Sequence, residues 1–276
     1  MIEMKTREEL EKIAYEMRKD ILQMGLQSGV KGAHLGGGMS IVELLAVLYA
    51  DVMQYRVEEP DWDGRDRFIL SKAHSAIGLY AALHFAGFLT DEEIAGAFVP
   101  GSVLYKHPRL DLARGIEFSG GSLGQGLSLA VGSALALRLR RNPARIYVVA
   151  GDGECDEGSL WEAAASIVHF DLRQVVLVID RNGLQNDGTT EDVMRLGDLG
   201  ERFRSMGFAV SDVNGHDVVA LRKVLTEDAD RPRVIISHTV KGKGVPFAEN
   251  QVAWHIGYLT KELYQEAMES LSYVRD

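Results

Sequence analysis

The residues best suited to chemistry lie in a stretch that reads as strand, glycine turn, helix and strand. The β-branched run 145–150, RIYVVA, ends at the glycine turn 151–153, and the apolar run 175–179, VVLVI, is soon followed by Asn182. An unbroken apolar run is typical of a parallel strand that is covered on both faces. Because neighbouring parallel strands end on the same edge of a sheet, we expect Asp152, within the turn, to lie close to Asn182.

This pair would place oxygen ligands beside backbone donors. Asp152 offers a carboxylate and Asn182 a neutral amide oxygen. The turn presents N–H groups at the start of a predicted helix, where the helix dipole favours anions. Magnesium prefers oxygen ligands and keeps part of its coordination shell for phosphate and water. The sequence therefore predicts a site for a diphosphate and a magnesium ion.

The elements around this site alternate between strand and helix. Residues 67–70 form a further predicted strand that leads into His74, a position where open α/β sheets place ligand contacts. The alternation predicts an α/β fold, a doubly wound and mainly parallel sheet with helices on both faces, in one domain spanning 1–276. Ser40 and Glu43 have the spacing of a capping box, which predicts a helix beginning there.

The helix predicted over 125–140 is apolar nearly all round and rich in small residues. A helix of this kind is expected to be buried, either as a tightly packed core element or at a subunit interface.

The composition argues against a nucleic-acid-binding protein and against a membrane-spanning one. The 276 residues are 46% hydrophobic and carry a formal net charge of −10, which argues against a nucleic-acid partner. No segment approaches the roughly 18 apolar residues of a membrane span, so we expect no membrane partner. A single cysteine and an N-terminus without an apolar signal region predict a reducing, cytoplasmic location.

The glycine turn matches neither of two common phosphate motifs. GDGECDEG is not G-x-G-x-x-G, and G-x-x-x-x-G-K-[ST] is absent. The pattern GDG followed by Asn182 instead resembles the thiamine diphosphate–magnesium motif. From about Gly32 to His255 the chain resembles the N-terminal half of a transketolase, and six segments in the family's order carry the resemblance: GAHLGGGMSIVELLAVLY, RDRFILSKAHSAIGLYAALHFAGF, SGGSLGQGLSLAVGSALA, GDGECDEGSLWEAAA, DRNGLQNDG and KGKGVPFAENQVAWH.

The resemblance implies a role for each matching residue. Magnesium, with Ca²⁺ or Mn²⁺ as alternatives, would be held by the side chains of Asp152 and Asn182 and by the Leu184 carbonyl. The other residues expected to contact thiamine diphosphate are Gly121, Leu123, Gly151, Gly153, Glu154, His74 and His255. The four histidines expected to take part in catalysis are His34, His74, His107 and His255. Glu157 and Glu162 match subunit-interface glutamates.

The remaining histidines match no family position. His84, His169, His216 and His238 are therefore expected to be structural or solvated. The chain departs from the family's usual residues at Ala73, Asp156, Arg181, Asn186 and Ile256. These departures leave the expected metal ligands intact and concern substrate preference.

Family members also contain a second region, which binds the aminopyrimidine and supplies a glutamate to its ring. We find no such region, and so expect a split enzyme. Its partner would be a C-terminal, pyrimidine-binding subunit in an α2β2 heterotetramer acting on sugars or sugar phosphates. Two alternatives stay open: half of a deoxyxylulose-phosphate synthase-like or dehydrogenase E1-like enzyme, and a non-catalytic cofactor-binding module. His107-Pro108 together with GGSLGQG favours transketolase.

Overall fold

A computed structural model describes residues 4–271, and its centre is a five-stranded sheet in the order β1-β2-β3-β5-β4. Each pair of neighbouring strands in this sheet is parallel. The strands are β1 (Arg67–Leu70), β2 (Ile146–Gly151), β3 (Val175–Arg181), β4 (Ala209–Asn214) and β5 (Arg233–His238). The predicted α/β class and parallel sheet are therefore confirmed.

Helices connect and cover these strands. Those in the described range are α1 (Arg7–Gln27), α2 (Leu35–Met39), α3 (Val42–Val47), α4 (Ala76–Phe85), α5 (Asp91–Ala95), α6 (Gln125–Leu139), α7 (Gly158–His169), α8 (Thr190–Val193), α9 (Leu199–Met206), α10 (Val218–Thr226) and α11 (Lys261–Ser270). Within that range, none combines the length and apolar character needed to cross a membrane.

Side chains of the sheet alternate between two apolar cores. On one face, Phe68, Tyr147 and Val176 pack with α1, α3, α4 and α10. On the other, Val148 and Leu177 pack with α6, α7 and α9. Helices thus cover both faces of the sheet, which explains the unbroken apolar runs of the central strands. Ligand-binding side chains are left to the strand ends and the loops that follow them.

The capping box predicted for Ser40 and Glu43 is wrong. Helix α3 begins after Ile41, and no side chain caps it. The Ser40 hydroxyl instead donates to Asp180 Oδ2 at 2.7 Å, and Glu43 is buried against Arg18. Both side chains instead form polar contacts with residues that are distant in the chain. A rule based on local spacing cannot predict such contacts.

Helix α6 is only half buried in this chain. Leu127, Ala130 and Ala134 pack into the core, whereas Leu129 is 39% exposed and Leu139 is 86% exposed. Burial of α6 within this chain is therefore incomplete, and an apolar face remains uncovered. Its burial at a subunit interface stays a prediction.

A buried carboxylate connects the strand ends. Asp180, in β3, forms an ion pair with Lys72, which follows β1, and both side chains are almost fully buried. The Asp180 carboxylate also accepts hydrogen bonds from Ser40, from Thr239 and from Asn182 Nδ2, the last at 3.0 Å. Although burial alone would raise the pKa of Asp180, Lys72 and these hydrogen bonds hold it below its ordinary value.

This arrangement predicts a large loss of stability in Asp180→Ala. The substitution leaves the Lys72 ammonium buried without a counter-ion, and we expect the free energy of unfolding to fall by about 3–5 kcal/mol. Urea denaturation followed by circular dichroism measures the change. Asp212→Ala is the control, because Asp212 pairs with Arg204 on the surface and its loss should cost about 0–1 kcal/mol. Equal losses in the two variants would contradict the prediction.

Candidate functional site

The ends of β2 and β3 bring the predicted ligand residues together. Gly151 is directly opposite Asp180 in the parallel register, so the turn after β2 lies beside the loop after β3. One cavity of about 160 Å³ opens at this edge. The residues that line it are Gly37, Lys72, His74, Leu123, Gly151, Asp152, Gly153, Glu154, Asn182, Leu184, Gln185, Asn186, Lys241 and His255.

Asp152 is buried and held by backbone donors. Its Oδ1 accepts the N–H of Gly153 at 2.9 Å, and its Oδ2 accepts that of Gly183 at 2.6 Å. Arg181 Nη1 lies 3.3 Å from the same Oδ2. Burial, with the nearby Asp180 charge, raises the pKa of Asp152. A bound cation would oppose both effects, because it favours the ionised carboxylate.

The other expected metal ligands are an amide and a carbonyl. Asn182 Oδ1 accepts the N–H of Leu184 at 3.1 Å, and the Leu184 carbonyl also lines the site. Within residues 4–271 no group of three or more His, Cys, Asp or Glu side chains could hold a metal ion. A cation at this edge would therefore depend on one carboxylate together with neutral oxygens, a donor set that suits Mg²⁺.

Lys241 places a buried ammonium group in the cavity. Its side chain is among the largest fully buried ones, and Nζ donates to the carbonyls of Leu184 and Gln185, each at 3.2 Å. His255 Nδ1 lies 2.9 Å from the same Nζ. Burial, with the nearby Lys72 charge, lowers the pKa of Lys241 to about 8. Among the described residues Lys241 has no ion-pair partner within bonding distance, so an anion in the cavity would supply the missing charge.

Glu154 joins three segments rather than pointing freely at the cavity. Its carboxylate accepts hydrogen bonds from the Ser71 hydroxyl, from the Gly124 N–H at 2.7 Å and from the Gly151 N–H at 3.1 Å. These bonds hold the GGSLGQG loop against the glycine turn. The expected contact between Glu154 and the cofactor stays a prediction. In the structure, its carboxylate fixes the position of the GGSLGQG loop relative to the glycine turn.

Two glycines expected to contact the cofactor, Gly153 in the turn and Gly121 in the GGSLGQG loop, differ in the space around them. A Cβ on Gly153 would come within 2.7 Å of Gln185 Cγ, so a side chain at this position would crowd the cavity wall. Gly121 has nothing within 4 Å of the position where a Cβ would stand, and Leu123 lines the cavity. The N–H groups of Gly151 and Gly153 already donate within the turn, so the donor left for an anion is the buried Lys241 ammonium. Together with the expected oxygen ligands, this ammonium fits a diphosphate held with a divalent cation.

The four expected catalytic histidines form one cluster centred on His34. Its ring centroid lies 5.4 Å from that of His74, 5.8 Å from that of His107 and 5.4 Å from that of His255. Burial, aided by neighbouring cationic groups, lowers the pKa of His34 to about 4 and that of His255 to about 3. It also holds the pKa of His74 well below its ordinary value. At neutral pH these three rings are uncharged, and each offers one donor and one acceptor nitrogen.

Glu157 and Glu162 lie outside the cavity. Both are exposed, at the start and on the outer surface of α7, and neither forms an ion pair within the described residues. Helix α7 packs against α6, whose uncovered apolar face is described above. The structure places these two glutamates near a surface that a second chain could cover, and their interface role stays a prediction.

Two further residues of the site were not identified from the sequence. Lys72 lies between two predicted site positions, yet nothing local shows that its ammonium turns inward to Asp180. Lys241 lies in the glycine- and lysine-containing loop 241–244, and nothing local shows that its ammonium turns inward to the cavity. Their inward orientation depends on contacts made after the strands assemble.

The lowered pKa of His34 predicts a pH-dependent loss of stability. Between the ordinary pKa of 6.5 and the folded value of about 4, the unfolded chain binds more protons than the folded chain. The free energy of unfolding therefore falls as the pH drops through this window. Between pH 7 and pH 5, we expect the unmodified chain to lose on the order of 1 kcal/mol more than His34→Gln.

Urea titrations at the two pH values measure this difference. His169→Gln is the control, since His169 is exposed and lies against Phe170, away from the cluster. Equal pH dependence in the His34→Gln variant and the unmodified chain would show that His34 is not held neutral by its surroundings.

Comparison with known proteins shows the family to which this chain belongs. Residues 12–274 match the family described as the transketolase, thiamine diphosphate binding domain. An apulose-4-phosphate transketolase subunit of Phocaeicola vulgatus is 38% identical over 270 residues, which cover 96% of this chain and 94% of that protein. The 6-deoxy-6-sulfo-D-fructose transketolase subunit SqwG of Clostridium sp. is 38% identical over 241 residues, or 86% of this chain and 88% of that protein.

A solved structure supports the same assignment. Transketolase from Campylobacter jejuni superposes with a TM-score of 0.88 at 27% identity, and the match covers 96% of this chain but only 43% of that one. The chain thus spans less than half of the solved transketolase chain and nearly all of the subunit relative from Phocaeicola vulgatus. On the matched family, the two subunit relatives and the shared fold, the chain belongs to the transketolase family and corresponds to its thiamine diphosphate-binding domain.

Proposed function

We propose that this chain is the diphosphate-binding subunit of a split transketolase that transfers a two-carbon ketol unit from a ketose to an aldose. The observation that carries the proposal is the convergence of Asp152, Asn182 and the buried Lys241 ammonium beside the histidine cluster in one cavity. The near-complete coverage of relatives named as transketolase subunits supports the split organisation.

The proposed metal is Mg²⁺, with Ca²⁺ and Mn²⁺ as alternatives that the same oxygen ligands could hold. Asp152 and Asn182 would bind it by side chain and Leu184 by its carbonyl, while Gly153 and Lys241 would face the diphosphate. Lys241 Nζ donates to the Leu184 carbonyl, so the ammonium lies next to one of the expected metal ligands. The remaining expected cofactor contacts are those of Gly121, Leu123, Gly151, Glu154, His74 and His255.

Thiamine diphosphate, when bound, would stabilise the carbanion that forms at the former carbonyl carbon when the adjacent carbon–carbon bond breaks. The part proposed for this chain is proton management and exclusion of water. The His34, His74 and His255 rings are neutral at pH 7, so each can accept a hydrogen bond from a sugar hydroxyl and donate one to a developing alkoxide. His107 is the most exposed of the four and would meet substrate nearest to solvent.

The names of two relatives support a proposal for the substrate class. One is named for a branched-sugar phosphate and another for a sulfonated ketose. We propose that this chain takes part in the turnover of ketoses with an anionic terminal group. The partner chain would supply the contacts to that group and to the aminopyrimidine.

The proposed assembly is an α2β2 heterotetramer. The uncovered apolar face of α6, including Leu129 and Leu139, and the nearby Glu157 and Glu162 form a surface suited to contact with another chain. Burial of such a face on association would be favourable because apolar area leaves water.

Loss of the metal-binding carboxylate should remove cofactor binding without unfolding the chain. For Asp152→Ala we expect the affinity for thiamine diphosphate in the presence of Mg²⁺ to fall by at least about 100-fold, because metal and diphosphate bind as one unit. Isothermal titration calorimetry measures the affinity, and circular dichroism checks the fold. Asp187→Ala removes an exposed carboxylate from the same loop and should bind normally. Normal affinity in Asp152→Ala would refute the metal assignment.

The split organisation predicts that activity needs a second polypeptide. We expect no ketol transfer by the purified chain alone, and transfer after mixing with the neighbouring gene product, measured with a panel of phosphorylated, branched and sulfonated ketose donors. The Asp152→Ala chain mixed with the same partner is the control, since it should assemble and remain inactive. Full activity of the chain alone would refute the proposal.

A further inference from the structure

Two buried charged side chains and one partly buried histidine meet beside the 240–243 loop, outside the cavity. Arg18 comes from α1, Glu43 from α3, and His216 from the turn between β4 and α10. Arg18 Nη2 lies 2.6 Å from Glu43 Oε1, and His216 Nδ1 lies 3.0 Å from Glu43 Oε2. Their side chains are only 9%, 10% and 14% exposed, in the order Arg18, Glu43 and His216. We call these three residues the loop clamp.

The loop clamp holds the 240–243 loop at both ends. The backbone N–H of Val240 donates to His216 Nε2 at 2.8 Å, and Arg18 Nε donates to the carbonyl of Lys243 at 3.1 Å. Because a backbone N–H can only donate, His216 Nε2 must be the unprotonated nitrogen of the ring. Nδ1 therefore carries the proton and donates to Glu43, which links the two ends of the clamp through one carboxylate.

Lys241 lies between the two held ends. Its neighbour Gly242 has φ +79° and donates its N–H to the carbonyl of Gly36 at 3.0 Å, which turns the chain sharply at this point. The stem of Lys241 passes close to Gly36, where a Cβ would come within 2.9 Å of Lys241 Cγ. The clamp, the glycine turn and the close approach to Gly36 confine the Lys241 stem, and its side chain lines the cavity.

We propose that Arg18, Glu43 and His216 are positioning residues that set the affinity of the site for a diphosphate by fixing where the Lys241 ammonium lies. This inference rests on the proposed function, because it assumes that a diphosphate occupies the cavity. A lysine ammonium is a point charge on a flexible four-carbon stem, so its contribution depends on how well the backbone beneath it is held. None of the three clamp residues lines the cavity, so their effect must pass through the loop.

A double-mutant cycle between His216 and Lys241 tests the inference. The dissociation constant of thiamine diphosphate, at saturating Mg²⁺, is measured for the chain with its partner subunit. We expect His216→Ala to weaken binding about tenfold in the unmodified background and hardly at all in a Lys241→Met background. His216→Gln should recover most of the affinity, because its amide can accept from Val240 and donate to Glu43.

The control is His238→Ala. His238 is the last residue of β5, and its exposed imidazole pairs with Asp212, so its loss should leave binding unchanged. Urea denaturation of every variant shows whether it is folded, and Glu43→Gln replaces His216→Ala if that variant does not fold. If His216→Ala weakened binding equally in the unmodified and Lys241→Met backgrounds, or did not weaken it in the unmodified background, the positioning role of the loop clamp would be wrong. The proposed function would still stand. Failure of the unmodified complex to bind thiamine diphosphate would overturn the proposed function as well.

Discussion

The buried ion pair between Lys72 and Asp180 determines how the strand ends meet. It joins the segment after β1 to the end of β3, and the hydroxyls of Ser40 and Thr239 add two further segments to the same carboxylate. A buried charge needs both a counter-ion and hydrogen bonds, so these segments are fixed relative to one another. Because Lys72 and Asp180 neutralise each other, Asp152 and Lys241 remain as charged side chains that face the cavity and match a cation and an anion.

Much of the fold could be predicted because its signals are local. The apolar runs of β2 and β3, and the rule that parallel strands end together, were enough to place Asp152 near Asn182. Ser40 shows where that reasoning stops. Its spacing to Glu43 satisfies a local capping rule, yet its hydroxyl pairs with a residue 140 positions away. Such a contact exists only once the sheet has formed, and burial then makes it stronger than an exposed cap.

The candidate site likewise has some features that the sequence predicts and others that only the structure shows. The histidines were found because a family resemblance connects positions that are distant in the chain, and the structure brings their rings within 5.8 Å of His34. The neutrality of His34, His74 and His255 could not be predicted, since it arises from burial and from the lysines and histidines nearby. Arg181 could be recognised as a departure, but only the structure shows it between Asp152 and Glu191. There it supplies positive charge beside a buried carboxylate whose pKa is raised.

The position of Lys241 shows why a polar network away from a cavity can matter to the chemistry inside it. A free lysine side chain loses about 2 kcal/mol of rotamer entropy when it is fixed. Here its stem is already confined beside Gly36, and the backbone on either side is held by His216 and Arg18. That ordering takes place during folding, when the buried Glu43 carboxylate must find its partners in any case. A diphosphate would therefore meet an ammonium group whose freedom has already been removed, and its binding would not have to overcome that entropy again.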